Sequence, residues 1–191
     1  MPGYFESTPG GTAAVALDEV EISILRNLAV QLLELIGPGD GDSGTGDGEP
    51  ADPFAGLFED GPTKPPQDPA LARLFPDAYE ETADSAEFRR FTENDLRARK
   101  RGDALAVVRS LDALSPGRRG GAVLTLTEAE ALQWLGTLND LRLTLGSRLE
   151  VTDDEENELY HLPDSDERKP LVLAYLWLGG LQESLVATLQ V

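Results

Sequence analysis

Cysteine is absent from this 191-residue chain, and histidine and methionine occur once each. Without thiols there is no disulfide, no thiolate nucleophile and no cysteine-bound zinc. The lone histidine, His161, excludes any site that needs two. Positive charge is scarce as well: 16 Lys and Arg stand against 35 Asp and Glu, a formal net charge of −19. No apolar run reads as long enough to span a membrane, and the N-terminus lacks the basic-then-apolar layout of a secretory signal. The expectation is a soluble, cytoplasmic chain of one domain, with no cofactor and no bound metal.

The acid is unevenly placed. Residues 37–69 hold eight acidic residues and one lysine, and residues 152–167 hold eight acidic residues and no basic one. The rest of the chain is therefore near neutral, and solvation of two connecting segments accounts for most of the charge. Residues 37–69 also carry eight Gly and seven Pro. Such a stretch cannot repay its ordering entropy by burial, which predicts a flexible linker. The expected organisation is a strand-helix unit over 1–36, an acidic Gly/Pro-rich linker over 37–69, and the remainder of the same helical domain over 70–191. Asp40-Gly-Asp42 starts like a calcium loop, but Thr45 stands where Gly is needed and Ala51 where Glu is needed. An apolar island, Asp52 to Phe58, interrupts the linker.

What is present centres on Leu124 to Gly146, a short strand running into a helix. Thr127 with Glu130 three residues on forms a capping box. Trp134, Leu138, Leu141 and Leu145 make one apolar stripe, with Leu132 and Leu143 opposite, which predicts a helix packed on both sides. Val15 to Gly37 echoes this layout, with Asp18 as cap and Gly37, like Gly146, at the end. Two strands near 12–17 and 121–126 should pair, and Tyr4-Phe5 can begin another beside the first. Asp68 caps a short helix with Pro69 in its first turn and Pro76 as its stop.

From Glu87 to Arg101 there are six basic and three acidic residues. Asp84 or Ser85 can cap this helix, Phe88 and Phe91 should face inward, and Gly102 should break or kink it. Arg90, Arg97 and Arg101, with Arg89 and Lys100 beside them, form a stripe expected on the surface, where charge reversal would spare the fold. The last helix, about 169–189, has its seam at Leu171, Ala174, Leu178, Leu181 and Leu185. Trp134-Leu135-Gly136 and Trp177-Leu178-Gly179 suggest that the last two helices pack on each other. Trp134, Leu138, Leu141, Arg142, Trp177 and Leu181 are the expected structural core. Glu158 and His161 have the spacing of a di-iron motif, but no second histidine exists to complete it. The fold class is mainly α: a bundle of about four main helices with a small two-stranded β-ribbon.

Three stretches together resemble a known family: Phe88-Arg-Arg-Phe-Thr-Glu93, Leu138-Asn-Asp-Leu-Arg-Leu143 and Trp177-Leu-Gly-Gly-Leu-Gln-Glu183. Their order and spacing are those of an actinobacterial family of unknown function, number two thousand seventeen. The resemblance implies genes that commonly neighbour the one for the ClpS protease adaptor, and some members described as regulators of transcription under oxidative stress. It carries over no catalytic residues, and thiol-based sensing cannot operate in a chain without cysteine.

The reading these observations favour is a non-enzymatic regulatory protein that acts through protein contacts, in stress-linked control of transcription. Its partner would offer an acidic surface to Arg89, Arg90, Arg97, Lys100 and Arg101. One alternative is a DNA-binding regulator using the same 89–101 face, which an overall charge of −19 opposes. Another is an accessory role in ClpS-linked proteolysis. Self-association is open. A third is an enzyme, for which Asp140 and Arg142 are the best candidates. Arg142 lies beside Leu135 and Leu138 on the helical wheel, however, and a partly buried structural ion pair is the simpler expectation.

Overall fold

The computed structural model describes residues 3–9, 12–37, 61–115, 120–152 and 158–189. The Asp40–Asp42 motif, the island at 52–58 and the acidic run 153–157 lie outside the described residues. Strands β1 (Glu6–Thr8), β2 (Thr12–Asp18) and β3 (Gly121–Leu126) form an antiparallel sheet in the order β1-β2-β3. The pairing of β2 with β3 runs from Ala13↔Leu126 to Asp18↔Gly121. The expected two-stranded ribbon thus gains a third strand, with Glu6 opposite Ala14. Alternation is strict on β2: Ala13, Val15 and Leu17 are buried and share the inner face with Leu124 and Leu126.

Both strand-helix junctions are built alike. Helix α1 (Glu19–Ile36) starts with Asp18 accepting from the Glu21 N–H, while Glu21 reaches back to the Asp18 N–H. The Thr127–Glu130 pair repeats this at the start of α4 (Glu128–Arg148). Each box satisfies two N–H groups that the first helical turn leaves unpaired. The echo fails at its far end. Gly37 ends α1 at φ 72°, whereas Gly146 lies inside α4 with the Tyr175 ring packed against it.

Helix α2 (Pro69–Leu74) is capped by Asp68 through the Leu71 N–H. Helix α3 (Thr82–Asp112) is 31 residues long and passes through Gly102 without a break. Its cap is Glu81, with no side-chain bond, and Ser85 is buried inside the first turns instead. A single helical glycine costs only about 1 kcal/mol, too little to divide so long a packed helix. Helix α5 (Lys169–Leu189) closes the core with Leu178, Leu181 and Leu185, all fully buried. One connected core joins Phe5, the inner sheet face, Leu25 to Ile36 of α1, Phe75, Ala104 to Leu111 of α3, α4 and α5. Trp134 sits within it, edge-on to Phe5 at 6.0 Å, its indole N–H donating to Ser110 Oγ at 3.1 Å.

Helices α4 and α5 pack together, with Gly179 of the second Trp-Leu-Gly motif against α4, whereas Gly136 of the first lies beside Asp103 of α3. Gly179 makes room for the Arg142 guanidinium, and Trp134 points toward β1 and α3 instead. Leu132, expected in a second buried stripe, is 57% exposed. One sequence expectation needs correction: α5 is long and apolar enough to cross a membrane by length and composition, with charge only at Lys169 and Glu183. Its inward face is committed to the protein core.

Candidate partner-binding surface

The arginine stripe of α3 is split: Arg89, Arg97, Lys100 and Arg101 turn toward the protein, while Arg90 stays exposed. Arg89 is 5% exposed and donates to Glu93, to the Phe75 carbonyl at 3.0 Å and to Asp77 at 2.8 Å. Its hydrogen bond to Asp77, followed by that from Ser85, holds the Asp77 carboxyl below the usual range. Glu93, 3% exposed, also accepts two bonds from Arg97 at 2.7 and 2.9 Å. Arg97 then donates to the Ile36 carbonyl at 2.7 Å and lies over the Phe75 ring at 4.4 Å. Arg101 donates to the Gly37 carbonyl at 2.6 Å and to that of Leu33 at 3.3 Å. The Ile36 and Gly37 oxygens lie at the end of α1, where carbonyls lack partners within the helix, while that of Leu33 also accepts the Gly37 N–H. No basic residue stands in α1's own last turn, so α3 supplies the cations that this helix end favours.

Lys100 meets Asp140 of α4 at 2.6 Å, with side-chain exposures of 17% and 5%. Burial pushes the Asp140 carboxyl up, and the Lys100 hydrogen bond and charge only partly oppose this. The partly buried ion pair expected on this helix is thus Asp140 with Lys100, since residues two apart such as Asp140 and Arg142 leave a helix in different directions. Arg142 instead donates to Gln182 Oε1 at 2.7 Å and lies over the Tyr175 ring at 5.2 Å. Trp134, Leu138, Leu141 and Leu181 are buried, while Arg142 and Trp177 are half-buried.

With Arg89, Arg97 and Arg101 turned inward, the outer face of α3 carries aromatics that the sequence placed inside. Phe88 and Phe91 are 44% and 65% exposed, and Tyr79 at 53% packs edge-on to Phe88 at 5.7 Å. Arg90 lies over the Phe91 ring at 5.3 Å. Exposed Asp84, Glu87, Asp95 and Arg99 share this side of α3, so the rim carries both signs. Gly61 docks on the adjoining flank, its N–H donating to the Arg90 carbonyl at 3.1 Å. Tyr79 was not picked out by sequence reasoning; its one signal is an aromatic just ahead of a helix that exposes two more.

A second surface lies between β1, α1 and α5. Tyr4, Ile24, Leu173, Ala174, Leu176, Trp177 and Gly180 line a largely apolar groove of about 540 Å³, and Glu21 is its one carboxylate. Both Glu21 oxygens are engaged, with the Gly3 and Asp18 N–H groups. Among the described residues no group of three or more His, Asp and Glu is placed to hold a metal ion. His161 is exposed at the end of a short 3-10 turn, Glu158–His161.

Comparison with known proteins assigns the chain. It is 29% identical over 200 residues to the oxidative stress regulator AosR of Mycobacterium tuberculosis, covering 96% of this chain and 85% of that relative. The AosR of Mycobacterium bovis matches to the same extent. A related AosR of Mycobacterium leprae is 31% identical over 185 residues, covering 88% of this chain and 78% of the relative. No solved structure matches. The model of the family described as domain of unknown function (DUF2017) matches residues 2–189, and the chain belongs to that family.

Proposed function

We propose that this protein is a stress-linked regulator that works by holding another protein rather than by catalysis. The observation that carries this reading is the similarity along nearly the whole chain to relatives named as oxidative stress regulators. It works without thiol chemistry, since there is no cysteine to oxidise. The contact surface is the aromatic patch of Tyr79, Phe88 and Phe91 with Arg90. Aromatic residues and arginine inside a polar rim are the composition of protein-binding hot spots. The partner is a protein segment that seats an apolar side chain between Phe88 and Phe91 and meets Arg90 and Arg99 with acid. A nucleic-acid backbone suits this face less well, because Asp84, Glu87 and Asp95 would oppose its phosphates.

The test is capture from an extract of the source organism with wild type and with Phe88→Ser/Phe91→Ser. Both side chains are already exposed, so folding is kept and circular dichroism verifies it. A protein held by wild type and released by the double variant supports the reading. Equal retention by both refutes this surface.

A further inference from the structure

We propose that the groove between α1 and α5 is a self-association face that joins two copies of this chain about a two-fold axis. Three observations converge there. The first is area. Tyr4, Val20, Ile24, Leu173 and Leu176 are 38–66% exposed, and Val20 and Ile24 are one turn apart on α1. Half-exposed side chains of this size offer about 100 Å² each. The five together give on the order of 500 Å² of apolar surface, within reach of the roughly 800 Å² per partner of a standard interface once Ala174, Trp177 and Pro170 are included.

The second is charge. The chain carries −19, so most faces of two copies would meet with carboxylates opposed. Between Lys169 and Glu183, α5 has no charged residue, and the Glu21 carboxylate at the groove is bound up in the α1 cap. This face therefore brings two acidic copies together with only the Glu21 carboxylate, held by backbone N–H groups, at its edge.

The third is shape. An isologous contact needs one patch to be knob and hole together. Leu173 and Leu176 line the groove yet remain 55% and 46% exposed, beside a hollow floored by Trp177 and Gly180. Gly180 leaves room for the Tyr4 ring, which a Cβ there would approach to 3.0 Å. A two-fold operation carries the leucine ridge of one copy into the hollow of the other.

Sedimentation equilibrium of the full chain from roughly 1 to 100 μM tests this. The expected result is a concentration-dependent rise from 20.6 kDa toward twice that mass, strengthened between about 0.1 and 1 M salt as repulsion between the copies is screened. Leu173→Glu/Leu176→Glu should weaken association by at least about 30-fold, the scale of a lost hot spot. Ile24→Glu, on the other wall of the groove, should act in the same direction. Phe88→Ser/Phe91→Ser should leave association unchanged, which separates this face from the partner surface on α3. A wild-type chain that stays at 20.6 kDa throughout, or a dimer that survives both groove variants, overturns the proposal.

Discussion

Replacing Glu93 by Gln tests whether the α3 arginines are internal supports. Glu93 is 3% exposed, and its two oxygens serve Arg89 and Arg97, which are 5% and 15% exposed. The isosteric amide keeps the volume but removes the one charge these two guanidinium groups share. Breaking a buried ion pair by deleting one partner costs about 3–5 kcal/mol, because the survivor stays buried without compensation. Asp77 still supports Arg89 but is half-exposed, so it offsets only part of the loss. Arg97 loses both bonds to Glu93 and keeps only the Ile36 carbonyl and the Phe75 ring. We expect a loss of about 4 kcal/mol, a large share of a total stability of about 5–15 kcal/mol. At roughly 2–4 °C per kcal/mol, the melting temperature should fall by on the order of 10 °C. The assay is urea unfolding of wild type, Glu93→Gln and Arg90→Glu, followed by fluorescence of the two tryptophans. Arg90 is exposed and lies over the Phe91 ring, so its reversal should cost only about 1 kcal/mol. A Glu93→Gln protein within about 1 kcal/mol of wild type would refute the reasoning, because a buried charge cannot be removed so cheaply from a network that supports the fold.

Lys100→Met should cost about 3 kcal/mol at pH 7.5 by leaving Asp140 buried without its cation. The carboxyl of Asp140 is already raised by burial, so the folded state takes up its proton more readily than the unfolded chain. A raised carboxyl favours the fold as pH falls through its folded pKa, so the Lys100→Met deficit should shrink at pH 5, as urea midpoints would show. A deficit that grows on acidification would contradict this sign. Gly102→Ala should stabilise by about 0.5–1 kcal/mol, because a Cβ there meets nothing within 4 Å and α3 is helical on both sides. Calorimetry should show a melting temperature about 1–4 °C higher.

The elements were legible where their signals are local. Asp18 with Glu21, Thr127 with Glu130, and Asp68 before Pro69 each fix a helix start within four residues, and all three stand where the sequence put them. The orientation of α3 was not legible. Phe88 and Phe91 repeat at helical spacing, and so do Arg89, Glu93 and Arg97, so periodicity alone cannot say which face is inside. What decides is distant in the chain: the open carbonyls of Ile36 and Gly37 at the end of α1, 61 and 64 residues away, and the Phe75 carbonyl. A cation that satisfies them can be buried with its acid, whereas the phenylalanines have no cavity left to fill. The same logic explains Asp140, whose partner came from α3 rather than from its own helix. The α1–α5 groove was invisible because it needs Tyr4, Ile24 and Leu173 brought together from three segments.

The most direct test of the account is survival of oxidant challenge in the source organism after deletion of this gene, with complementation by variants made to equal abundance. The account predicts that wild type and Gly102→Ala restore resistance, while Phe88→Ser/Phe91→Ser fails although it folds. A deletion strain as resistant as its parent, or full rescue by the phenylalanine variant, would contradict it.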